Sequence, residues 1–77
     1  MIMEPVNRIK IVLFEKSRTS KWLSEQMGVT LSTVSKWCTN VSQPSLDTLV
    51  EVSKALDVDV RELLVSTKEE PKYIRVE

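Results

Sequence analysis

The sequence predicts an all-α protein, with about five helices forming one compact domain and a short C-terminal tail. Three observations predict it. Apolar residues recur at spacings of three and four almost to Val65. Hydroxyl or carboxylate side chains stand where each helix after the first would open. The one glycine of the chain, Gly28, falls between two such segments. The 77 residues leave room for a single core. The expected division is a domain over 1–66 and a tail over 67–77.

Val6, Ile9, Val12, Leu13 and Lys16 place an apolar stripe on a first helix that starts at or just after Pro5. Thr19 caps a second, running to about Met27 with Leu23 and Met27 inward, and Gly28 lets the chain turn sharply after it. Thr30 caps a third helix over 31–39, with Val34 and Trp37 on one face and a polar opposite side. Asn40 tolerates positive φ and ends that helix. Ser45 caps a fourth, in which Leu46, Leu49, Val50, Val52, Ser53 and Leu56 contain the helical repeat. Asp59 and Glu62 have the spacing of a capping box for a short final helix through Leu63 and Leu64. From Thr67 to Lys72 there is no apolar face to bury, so a flexible tail is expected. Tyr73 to Val76 favour strand, and would form an edge, pack back or fray.

Composition narrows the function classes. The chain is 42% hydrophobic and 29% charged, with no long uncharged stretch of the kind a bilayer demands. Glu4 and Pro5 follow Met1–Met3 directly, so a secretory leader is not expected and a cytoplasmic setting is. One cysteine, Cys38, forms no internal disulfide, and the lack of histidine removes the usual zinc sets. No cofactor or metal is expected. Without histidine, a glycine-rich phosphate loop or paired carboxylates, an enzyme is the weakest reading. Net charge is zero but unevenly spread. Up to Ser45 six basic residues face three acidic ones, roughly +3, and the remainder carries roughly −3.

The informative constellation is Ser24, Gly28, Val34 and Trp37. They supply in order a small residue at a helix crossing, a turn residue and two inward side chains, as two short helices joined by a tight turn require. Around them run Thr-Ser-Lys-Trp-Leu-Ser-Glu-Gln-Met-Gly-Val-Thr-Leu-Ser-Thr-Val-Ser-Lys-Trp from Thr19 to Trp37, then Asn40, Gln43-Pro-Ser-Leu-Asp-Thr-Leu49 and Ala55-Leu-Asp-Val58. Over about Val6 to Leu64 the chain resembles the Cro and lambda-repressor-like helix-turn-helix family, also called the xenobiotic-response-element family, of bacterial and phage regulators. The resemblance implies a lambda-repressor-like DNA-binding domain, with the helix-turn-helix unit at about 19–39. Its second helix would enter the major groove of double-stranded DNA, and a homodimer would read two half-sites.

By the same resemblance Leu31, Ser32, Thr33, Ser35 and Lys36 fall where family members read base edges. Lysine suits guanine, serine several bases, and leucine a thymine methyl. Ser20, Thr30, Thr39, Asn40, Ser42 and Gln43 fall around the phosphates, where hydroxyls, amides and helix N-termini suit an anionic oxygen, and Lys21 is set with them by its charge, a solvated face being the alternative. Lys10, Lys16 and Arg18 stand either along the phosphates or on a solvated face. Ser20 replaces a frequent glutamine and Ser24 the usual alanine, while Asn40 and Asp57 replace glycines and are expected in left-handed conformations.

Trp37 is assigned to the core rather than to base stacking. Ile11, Phe14 and Trp22 are an apolar surplus, assigned to cover by Met1–Met3 or Tyr73–Val76 ahead of a second subunit. Cys38 is assigned as a filler rather than a redox sensor. The expectation is a transcriptional regulator, a repressor ahead of an activator, dimerising around Val58 to Leu64. The alternative is an antitoxin that uses the same fold against a toxin partner.

Overall fold

A computed structural model describes residues 4–68. Helix α1 spans Ile9–Glu15, α2 Ser20–Met27, α3 Leu31–Cys38 and α4 Leu46–Leu56, and a 3₁₀ turn follows at Val60–Leu63. Side-chain oxygens open them as the sequence predicts. Thr19 accepts from the Trp22 amide, Thr30 from Thr33 and Ser45 from Thr48, each satisfying a donor that the first helical turn leaves free.

All four α-helices close in one way. A residue one or two positions past the end turns left-handed, and the next amide reaches back five residues: Arg18 to the Leu13 carbonyl, Val29 to Ser24, Val41 to Lys36 and Val58 to Ser53. The left-handed residues are Ser17, Gly28, Asn40 and Asp57, with φ of 57°, 68°, 61° and 58°. Asn40 and Asp57 thus take the conformation expected of them.

The core joins Ile9, Val12 and Leu13 of α1, Leu23 of α2, Val34 and Trp37 of α3, Leu49, Val52 and Leu56 of α4, and Leu63 of the 3₁₀ turn. Every element contributes to it. None therefore buries its apolar face alone, and α3 takes its orientation from the shared core.

Three sequence expectations need correction. The first helix begins at Ile9 rather than next to Pro5, leaving Val6 outside it and exposed. Asn7 accounts for this. Its side-chain oxygen accepts from the Ile9 amide at 3.0 Å, and Asn7 pairs with Leu64 in an isolated antiparallel bridge. The expected fifth helix is a 3₁₀ turn that excludes Leu64, so the described residues hold four α-helices. There Asp59 accepts from the amide and side chain of its near neighbour Arg61, a contact too local to found an α-helical box with Glu62. The Arg61 amide and then its guanidinium hold the Asp59 carboxyl below its ordinary range. The α4 repeat buries Leu49, Val52, Ser53 and Leu56 and leaves Leu46 and Val50 on its outer face. Met27, expected inward, is partly buried.

Among the described residues no helix is long and apolar enough to cross a membrane. Ile11 and Phe14 are exposed, Phe14 at 84%. The segments expected to cover them, Met1–Met3 and Tyr73–Val76, lie outside the described residues.

Candidate nucleic-acid interface

Helices α2 and α3 pack across the turn at Gly28. Ser24, at the crossing, is buried, and its hydroxyl donates to the Lys21 carbonyl at 2.7 Å, so the added oxygen is satisfied within its own helix. The start of α2 also meets the end of α3, where the Ser20 hydroxyl lies 3.7 Å from the Cys38 sulfur. Cys38 is half-buried, as a space-filling side chain would be.

Helix α3 has two unlike faces. Val34 is 0% exposed and Trp37 5%, both in the core. Leu31, Ser32, Ser35 and Lys36 are exposed, Leu31 at 50%. At about 100° per residue these four fall within an arc of about 140°, opposite the two core residues. Thr33 and Cys38 flank that arc, half-buried. The Thr33 hydroxyl is 2.9 Å from that of the capping Thr30, so of the five sequence-chosen residues it is the one tied to its neighbour. The open face is thus short, polar and singly cationic, with one aliphatic side chain at its leading end.

The residues expected at phosphates divide into two groups. Lys21, Thr30, Thr39 and Ser42 are exposed and Ser20 is half-buried. Thr39 directs its hydroxyl to the Ser35 carbonyl at 3.0 Å. Asn40 and Gln43 instead turn their amides toward the N-terminal segment. Asn40 Oδ1 accepts from the amides of Val6 and Asn7 at 2.8 and 2.9 Å and from Gln43 Nε2 at 3.1 Å. Asn7 Nδ2 donates to Gln43 Oε1 at 2.7 Å and to the Trp37 carbonyl at 2.9 Å. Sequence reasoning missed Asn7. No spacing joins residues thirty or more apart, and the only signal was the surplus of side-chain amides around the end of α3.

The ion pairs among the described residues, Glu51–Lys54 and Asp59–Arg61, lie on α4 and at the 3₁₀ turn. Lys10, Lys16, Lys21 and Lys36 are exposed and outside those pairs, and the Arg18 guanidinium stacks over Trp22, 4.6 Å from the ring centre. From α1 to α3 the lysines thus stand outside the ion pairs of the described residues.

Two short helices about a left-handed glycine, the second bared along one side, define a helix-turn-helix protein. A helix-turn-helix family model matches residues 15–63. The crystal structure of a Bacteroides fragilis protein described as DNA-binding is 58% identical, covering 78% of this chain and 97% of that one, with a TM-score of 0.77. The N-terminal DNA-binding domain of SinR from Bacillus subtilis is 38% identical, covering 80% and 91%, with a TM-score of 0.66. No curated protein matches. The chain belongs to the Cro/lambda-repressor-like helix-turn-helix family.

Proposed function

We propose that this protein is a sequence-specific DNA-binding transcriptional regulator of the cytoplasm that represses by occluding promoters. One observation carries the reading: the exposed arc of Leu31, Ser32, Ser35 and Lys36 on a helix whose other side is fixed in the core. A rigid rod with a polar, cationic face meets what the major groove demands, since the groove admits an α-helix and presents donors, acceptors and a thymine methyl. The DNA-binding descriptions of the two structural neighbours support it.

In this reading α3 lies in the groove, Leu31, Ser32, Thr33, Ser35 and Lys36 face base edges, and Ser20, Lys21, Thr30, Thr39 and Ser42 meet phosphates. Asn40 and Gln43, whose amides bond to each other and to Asn7, serve by shaping the loop. Residues 1–66 form the unit and 67–77 a tail. Two copies join around Val58 to Leu64 and engage half-sites about 34 Å apart, one turn of the duplex.

Selection of bound duplexes from a random pool, at fixed salt, tests this. A two-fold symmetric site with half-site centres about 10 base pairs apart is expected. A pool that enriches for nothing rejects the proposal. Lys21→Ala separates the two kinds of contact, because a lysine on a phosphate releases counterions but carries no sequence information. The dependence of log K on log salt is expected to flatten by about 1, with the preferred site unchanged. An unchanged slope removes Lys21 from the backbone contacts.

A further inference from the structure

The end of α3 is not held by the helix-turn-helix unit alone. Asn7 lies in the segment before α1, is only 5% exposed, and makes three side-chain hydrogen bonds that run in different directions. Its oxygen accepts from the Ile9 amide and so starts α1. Its Nδ2 donates to the Trp37 carbonyl, in the last turn of α3, and to Gln43 in the following loop. Asn40, just past α3, returns the contact by accepting from the Val6 and Asn7 amides and donating from Nδ2 to the Asn7 carbonyl at 3.3 Å. The segment that carries Asn7 is itself anchored, since the Arg8 amide donates to the Leu63 carbonyl at 2.8 Å and the Val65 amide to the Val6 carbonyl at 3.0 Å.

We infer that Asn7 is a positioning residue for DNA recognition, latching the C-terminal end of α3 through Trp37, Asn40 and Gln43 so that the helix meets the groove at one fixed lean. The inference rests on the functional reading above and adds a determinant of specificity from outside the helix-turn-helix unit. Its physical basis is that α3 has only eight residues. So short a helix has little stability of its own, and beyond its core face, Val34 and Trp37, its lean depends on what grips its two ends. Thr30 caps the leading end, and the Asn7 latch grips the other. Base-edge hydrogen bonds tolerate little misplacement, whereas phosphate attraction is long-ranged and tolerant. Loosening the latch therefore removes discrimination before it removes binding.

Asn7→Asp isolates the effect. A carboxylate keeps the acceptor that starts α1 but loses both Nδ2 donations and faces the Trp37 carbonyl with an oxygen. With circular dichroism showing the variant folded, affinity for the selected duplex is expected to fall about tenfold or more, the cost of one misread base pair. Affinity for a random duplex and the salt slope are expected to stay at wild-type values. In the free protein the Asn40 and Val41 amides are expected to exchange with solvent faster. Val52→Ala, a core cut in α4 away from the latch, controls for lost stability and is expected to keep the wild-type ratio of selected to random affinity.

Gln43→Ala, on an exposed loop, provides a second route if Asn7→Asp does not fold. A latch role lowers affinity for the selected duplex only, whereas an equal loss on all duplexes marks a phosphate contact and overturns the latch. An unchanged ratio and unchanged exchange in Asn7→Asp, or an equal change in Val52→Ala, also overturns it. A wild type that prefers no duplex overturns the functional reading itself, a result distinct from any of these.

Discussion

Trp37→Ala is expected to lower the unfolding free energy by about 3 to 5 kcal/mol, the usual cost of emptying a buried tryptophan site. A domain of this size has a total stability of roughly 3 to 10 kcal/mol, so the variant should be largely unfolded or close to it at room temperature. The indole is almost fully enclosed, and its backbone carbonyl receives Asn7 Nδ2, so the residue joins the core to the latch. Urea titration followed by circular dichroism measures the loss. A cost below about 1 kcal/mol, the range of surface substitutions, would place the ring outside the core. It would reopen the base-stacking role that the sequence assigns it least.

Lys36→Ala is expected to leave stability nearly intact and to change what is recognised. The side chain is exposed in the last turn of α3, where its interaction with the helix dipole contributes about 0.3 to 1 kcal/mol. A lysine donating to guanine O6 and N7 contributes more, about 1 to 3 kcal/mol at one base pair. The larger effect should therefore appear in binding, as lost discrimination at a single operator position. Competition between the selected duplex and its single-base variants measures it. Equal weakening on every duplex would make Lys36 a phosphate contact.

The local features of this fold were legible because they depend on neighbours in sequence. Thr19, Thr30 and Ser45 each need only the amide three residues on. Gly28, Asn40 and Asp57 each close a helix through their own backbone. The inward Val34 and Trp37, and with them the outward arc of α3, follow from helical periodicity.

What stayed illegible depends on partners far along the chain. Val6 reads as helix from its periodicity and Asn7 from its place after Pro5, but their amides are taken by Asn40, more than thirty residues away, and the Asn7 side chain starts α1 at Ile9 instead. The final turn tightened to 3₁₀ beside the Asn7–Leu64 bridge. The expected phosphate contacts were chosen by resemblance. Position alone did not reveal that the Asn40 and Gln43 amides are already engaged.

The four helix endings share one backbone shape, yet they are not interchangeable under sequence drift. Ser17 and Asp57 lie in solvent, and a β-carbon at Gly28 would meet open space, so at these places the φ angle alone is at stake and glycine is admissible. At Asn40 the same φ comes with an amide that bonds on both sides. Glycine, the residue that backbone preference alone would put at all four, is at that one place the substitution that would untie the end of α3 from the N-terminal segment.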